Sequence, residues 1–100
     1  MVGDSADIEV NDLEFGDVTV TKLVGHEVTP TDVLAVLANE PQFFKNLPGR
    51  SGSHVMLGPN MEDRFFYIVL VESSKPGTWN VVTGYHYSRR RALRFYRRES

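Results

Sequence analysis

The spacing of apolar residues along the chain changes from a helical to a strand period at about residue 40. Before that point, apolar positions predict a helix over 30–39, with Thr29 as its N-cap and Asp32 at the N3 position of a capping box. A shorter helix over 18–25, capped by Asp17, is also predicted. The Val-Thr-Val-Thr content of this second segment favours a strand instead.

The second half of the chain alternates between apolar runs and turn residues. Candidate strands are the short segment 41–46 and the longer segments 53–58, 64–72 and 79–87. The run RFFYIVLVE is apolar at nearly every position, as in a central strand covered on both faces. Ser88 then predicts the start of a C-terminal helix that runs to about residue 98. Its apolar face is formed by Ala92, Phe95 and Tyr96.

This order of elements predicts an α+β domain. It has two N-terminal helices, a small antiparallel β-meander of three to four strands, and a C-terminal helix. Residues 1–12 are polar and acidic, and we expect a flexible arm there, followed by a single domain over 13–100. No apolar run approaches the roughly 20 residues of a membrane helix. The first residues lack the pattern of a signal peptide and the chain has no cysteine, so we expect a cytoplasmic protein.

Charge is distributed unevenly, although the net charge is only −2. Residues 1–17 carry six carboxylates and no base, whereas residues 86–100 carry six arginines and one acid. Two solvated ends would explain this distribution. Alternatively, the acidic arm folds back on the basic helix, or the basic end meets an acidic partner such as a nucleic acid.

Short motifs spread over residues 17–97 carry a resemblance to a known family. They are Gly25-His26-Glu27-Val28-Thr29, Leu57-Gly58, Asp63-Arg64, Val81-Val82-Thr83-Gly84, Ser88-Arg89-Arg90 and Phe95-Tyr96. With these motifs the chain resembles the BrnT-like toxins of bacterial toxin–antitoxin pairs, within the RelE/ParE superfamily. The resemblance implies a RelE-like fold and cleavage of mRNA without a metal or other cofactor. It also implies an antitoxin protein as partner, and RNA or the ribosome as target.

Such cleavage needs groups that take a proton from the 2′-hydroxyl, stabilise the charged phosphorane and protonate the leaving oxygen. Arginine suits the phosphorane, whereas histidine and tyrosine can move protons. The candidate catalytic residues are Arg64, His54, His86 and Tyr85. The candidate phosphate-binding residues are Arg50, Arg89, Arg90 and Arg94. Among these, Arg64, Arg89 and Arg90 are the positions that the resemblance implies.

The chain differs from the resembled family at several positions that could serve catalysis, among them Gly52 and Ser53. Tyr85 and Arg91 stand where the family has arginine and glutamate. These differences, together with the net acidic charge, favour an alternative hypothesis: a non-catalytic module that binds a protein or RNA through the basic C-terminal helix. The three histidines are too scattered in the sequence to predict a metal site.

Overall fold

The chain forms one five-stranded mixed sheet with three helices in the computed structural model, which describes residues 3–99 and the side chains of residues 3–94. The elements are β1 (Asp12–Phe15), α1 (Asp17–Gly25), α2 (Pro30–Ala38), β2 (Gln42–Lys45), β3 (His54–Pro59), β4 (Phe65–Glu72), β5 (Thr78–His86) and α3 (Arg89–Glu99). The strand order is β1-β5-β4-β3-β2. The α+β class predicted from the sequence is therefore confirmed. No helix in the described part of the chain is long and apolar enough to cross a membrane.

The strand β1 corrects the predicted sheet. It pairs in parallel with β5, from Asp12 opposite Thr78 to Phe15 opposite Val81. The sheet therefore has five strands and is mixed, instead of being an antiparallel meander of three to four strands. Because β1 is four residues long and only Leu13 is buried, its local pattern is too weak to predict a strand. Its hydrogen-bonding partner lies near the other end of the chain.

The acidic segment before β1 is hydrogen-bonded to the sheet near both of its edges. The amide of Gly3 donates to the carbonyl of Lys45 in β2 at 2.9 Å. Farther along, Nε1 of Trp79 in β5 donates to the carbonyl of Glu9 at 3.0 Å. The flexibility expected for residues 1–12 stays a prediction. The amide of Asn11 also donates to the carbonyl of Gly77, in the turn before β5, at 2.8 Å.

The helices begin where local chemistry favours them, with one correction. Gly16 is the N-cap of α1, so Asp17 is the first helical residue and not the cap. In α2, the amide of Asp32 donates to Oγ1 of Thr29 at 3.0 Å, and the amide of Thr29 donates to Oδ2 of Asp32 at 3.1 Å. Both arms of the predicted capping box are thus present. In α3, Ala92 is fully buried as expected. The side chains of Phe95 and Tyr96 lie outside the described residues.

Different elements cover the two faces of the sheet. The helix face carries the main apolar core, which joins α1 and α2 to β3, β4 and β5 through Leu23, Val33, Val36, Met56, Phe66, Ile68 and Leu70, among others. On the opposite face, which we call the cleft face, Val55, Leu57 and Val69 are buried as well. The β2–β3 loop packs on this face at Gly52, where a Cβ atom would overlap the side chain of Val69. Gly52 also has a positive φ of 76°, so this position favours glycine twice over.

The capping box of α2 generates a stability prediction. Replacing Thr29 with alanine removes the oxygen that accepts from Asp32, and we expect a loss of about 1 kcal/mol in the free energy of unfolding. Urea denaturation measures it. The matched control is Thr31→Ala, because Thr31 is exposed in the first turn of the same helix. Equal denaturation midpoints for the two variants would contradict the assigned role.

Candidate functional site

Three tyrosines meet on the cleft face. Tyr67 of β4 and Tyr85 of β5 are direct cross-strand partners, so their side chains emerge side by side. Tyr87 follows β5, and its ring stacks on Tyr67 with 5.6 Å between centroids and an interplanar angle of 29°. These rings form the centre of a concave surface, the tyrosine cleft. It has an outer and an inner compartment, which share Arg50, Tyr67 and Tyr85.

The outer compartment has a volume of about 250 Å³. It is lined by Leu47, Arg50, Tyr67, Tyr85, Tyr87 and Arg91. Arg91, in the first turn of α3, places its Cζ atom 5.0 Å from the centroid of Tyr87, which is a cation–π contact. The start of α3 therefore contributes a guanidinium to the stacked rings.

Arg50 reaches the cleft on the β2–β3 loop, which Asn46 holds in shape. The side-chain amide of Asn46 donates to the carbonyls of Ser51 and Gly52 at 2.7 and 3.3 Å. Its Oδ1 accepts from the amide of Leu47 at 2.9 Å. Because these bonds fix the loop on both sides of Arg50, the guanidinium projects from an ordered turn.

The inner compartment has a volume of about 450 Å³. It is lined by Lys22, His26, Asn46, Arg50, Ser51, Tyr67, Val69, Val82, Thr83 and Tyr85. The C-terminal end of α1 supplies Lys22 and His26. The imidazole of His26 contacts the Tyr85 ring, with 4.4 Å between centroids. This compartment thus joins α1, the β2–β3 loop and the two central strands.

A β-bulge shapes the floor of the inner compartment. Val69 pairs with Thr83 and Leu70 pairs with Val81, so Val82 is an extra residue in β5. Thr83 is only 7% exposed, and its Oγ1 has no hydrogen-bond partner among the described atoms. A buried polar atom without a partner is uncommon in a folded protein.

The electrostatics of the cleft contrast with the acidic chain as a whole. Arg50, Arg91 and Lys22 line it, and no carboxylate does among the described residues. Burial raises the pKa of Tyr67 and the neighbouring Tyr87 raises it further, whereas Arg50 partly opposes both and Tyr85 adds the smallest raising effect. Its phenol therefore stays protonated at neutral pH. The described residues contain no group of three histidine, aspartate or glutamate side chains able to hold a metal ion.

Two residues proposed from the sequence, Tyr85 and Arg50, line the cleft. The two histidines proposed from the sequence, His54 and His86, lie elsewhere. Since neighbours along a strand point to opposite faces, His86 faces away from Tyr85. Its Nε2 donates to the carbonyl of Glu27 at 2.9 Å. His54 is also on the helix face, where its ring meets Trp79 edge-on at 5.0 Å. The structure therefore does not bring His54 and His86 together with Tyr85.

The other arginines proposed from the sequence do not line the cleft. Arg64 is in the β3–β4 turn, where its amide donates to Oδ1 of Asn60 at 3.0 Å, and its side chain is exposed. Arg89 forms an exposed ion pair with Asp63. Arg90 and Arg94 are exposed on α3 and do not line the cleft. Arg94 lies three residues after Arg91, on the same side of the helix, and extends its positive charge outward.

Several cleft residues were not proposed from the sequence: Lys22, His26, Tyr67, Tyr87 and Arg91. Tyr67 carried one usable signal, because it is the only residue with a hydroxyl in the apolar run of β4. Lys22 and His26 carried none, since their place in the cleft depends on how α1 packs against β5.

The environment of His54 generates a pH prediction. Burial lowers its pKa, nearby Lys45 lowers it further, and Glu72 partly opposes both. Because the folded-state pKa lies below the unfolded value of about 6.5, the unfolded chain binds the proton more readily, and stability falls as pH decreases below that value. We expect the urea midpoint to fall less in His54→Gln than in the unaltered protein between about pH 7.5 and about pH 5.5. Equal decreases would contradict this origin.

Comparisons with known proteins give no match to this chain. No family model, no curated protein and no solved structure matches it. The likeness to BrnT-like toxins therefore rests on the short sequence motifs alone.

Proposed function

We propose that the protein binds single-stranded RNA in the tyrosine cleft. The observation that carries the proposal is the stacked pair of Tyr67 and Tyr87, bordered by Arg50 and Arg91, with no carboxylate lining the cleft among the described residues. Aromatic rings stack on unpaired bases, and guanidinium groups bind the phosphates that follow them. These are the two kinds of contact that a single-stranded nucleic acid requires.

The chemistry of the rings favours this ligand over a simple anion. A phosphate or acidic peptide would use the cations but would gain little from three tyrosines. Base–aromatic stacking contributes about 1–3 kcal/mol per base, comparable with the contribution of the charges. A double helix keeps its bases stacked on each other, so its bases cannot enter a recessed cleft. The resemblance to mRNA-cleaving toxins supports RNA over DNA.

The charges of the cleft generate a quantitative prediction. We expect Arg50→Gln and Arg91→Gln each to weaken binding of a fluorescent oligouridine and to reduce the slope of log K against log salt by about 0.7 per lost phosphate contact. Fluorescence anisotropy over a range of salt concentrations measures both quantities.

Lys75→Gln is the matched control. It removes the same charge from the exposed turn between β4 and β5, outside the tyrosine cleft. We expect its salt slope to equal that of the unaltered protein. An equal reduction of the slope in all three variants would indicate a diffuse electrostatic effect and contradict binding in the cleft.

We propose cleavage of the bound RNA, as in a toxin of a type II toxin–antitoxin system, as a second candidate function. The contact between His26 and Tyr85 favours it, because it places two proton-transfer groups beside Arg50. In this reaction the 2′-oxygen bonds to phosphorus and the bond from phosphorus to the 5′-oxygen breaks, which leaves a 2′,3′-cyclic phosphate. His26 would accept the 2′-hydroxyl proton, Tyr85 would protonate the 5′-oxygen, and Arg50 would neutralise the phosphorane.

Cleavage is tested with purified protein and RNA in the presence of EDTA, with and without ribosomes. We expect cyclic-phosphate products, and a rate lowered about 100-fold or more in His26→Gln and in Tyr85→Phe. His54→Gln is the matched control, since His54 lies on the helix face.

Induction of the chain alone in bacteria is expected to arrest growth, and an antitoxin is expected to restore it. RNA that is bound but never cut would leave the non-catalytic binding function.

A further inference from the structure

We infer that the inner compartment takes one unstacked base of the bound RNA, and that the hydroxyl of Thr83 recognises this base. The inference deepens the proposed function and rests on it. It assigns to Thr83 a role in distinguishing one base from another. The tyrosine rings and the cations of the cleft would bind any base and any phosphate. Thr83 was not among the residues selected from the sequence for their chemistry.

The state of Thr83 carries the inference. Its side chain is 7% exposed on the floor of the compartment, and its Oγ1 has no hydrogen-bond partner among the described atoms. Valine has the same shape and would fill this buried position of β5 without an unpaired oxygen. The hydroxyl is therefore not committed to a partner within the protein, although its oxygen is buried and meets a ligand only after the side chain turns.

The walls of the compartment fit a nucleotide. Its volume of about 450 Å³ falls within the range of roughly 300–1,000 Å³ usual for small-molecule sites. Tyr67, Tyr85 and Val69 provide an apolar surface for the flat base. Lys22 and Arg50, both exposed, supply cations for its phosphate.

Another polar group in the compartment is already engaged. The amide of Asn46 is bonded to the carbonyls of the β2–β3 loop, as described above. A hydroxyl both donates and accepts, so Thr83 can bond with the edge of a base. In the inferred complex the side chain of Thr83 turns about its Cα–Cβ bond to another staggered rotamer, which moves the hydroxyl out of its buried place and toward the compartment.

The test compares Thr83→Val, which keeps the shape and removes the hydroxyl, with Thr83→Ser, which keeps the hydroxyl. The RNA probes are oligouridine hexamers in which one internal position is A, C, G or U. Nuclear magnetic resonance with each nucleoside monophosphate, following the backbone amide of Thr83, reports whether a free nucleotide enters. Urea denaturation controls for folding.

We expect the unaltered protein to prefer one of the four bases by about three- to tenfold, as for a single hydrogen bond. This preference is expected to disappear in Thr83→Val and to persist in Thr83→Ser, while the affinity for the least preferred hexamer stays constant. Thr83→Val is expected to unfold at the same or a higher urea concentration, because it removes an unpaired buried oxygen.

The outcomes separate this inference from the proposed function. If the hexamers bind with a base preference that Thr83→Val leaves unchanged, or with none, the inference is overturned and RNA binding stands. If no hexamer binds but a monophosphate shifts the resonance of the Thr83 amide, the compartment is a site for free nucleotides. Both the proposed RNA function and the inference of a base of bound RNA are then overturned. If neither ligand binds, both are overturned. A lower urea midpoint for Thr83→Val would overturn the premise that the hydroxyl has no partner.

Discussion

The close approach of α1 to β5 at Gly84 is the contact on which the inner compartment of the cleft depends. A Cβ atom at position 84 would lie 3.0 Å from Cδ2 of Leu23 and 2.8 Å from Cδ1 of Ile68. Only a residue without a side chain lets Leu23 reach this depth. With Leu23 in place, Lys22 just before it and His26 just after the helix lie at the border of the compartment. The absence of a side chain at one position thereby places two polar groups at the border of the compartment.

The same contact resolves a problem at the edge of the sheet. β1 pairs with β5 only as far as Val81, so the remainder of β5 would present unpaired backbone groups on that side. α1 begins directly after β1 and covers this part. The hydroxyl of Thr19 donates to the carbonyl of Val81 at 2.7 Å. Edge protection and site formation therefore come from one element, and a change that displaces α1 would affect stability and binding together.

The sequence predicts those parts of this architecture whose causes are local. The capping box at Thr29 and Asp32 depends on residues only three positions apart. The apolar run of β4 likewise predicts, from adjacent residues alone, a strand that is covered on both faces. The parallel pairing of β1 depends on a partner near the other end of the chain. The bulge at Val82 depends on the register between β4 and β5, which no local pattern specifies. These two features decide which side chains meet.

Strand geometry also explains why the residues proposed from the sequence separate. Tyr85 and His86 are neighbours in β5, and neighbours in a strand cannot share a face except at a bulge. Once the strand is predicted, the sequence alone therefore excludes a site that contains both Tyr85 and His86. The placement of His54 could not, because it depends on its pairing with Leu70.

The two proposed functions, binding and cleavage of RNA, make different demands on the protonation of the cleft residues. Burial keeps the phenol of Tyr67 protonated, so this residue serves as a ring and a hydrogen-bond donor and not as a base. Among the described residues that line the cleft, His26 carries the imidazole that would accept the proton in the proposed metal-independent cleavage. The proposed stacking and phosphate binding, by contrast, use rings and guanidinium groups that the structure already brings together. The proposed cleavage also requires that His26 meet the 2′-hydroxyl.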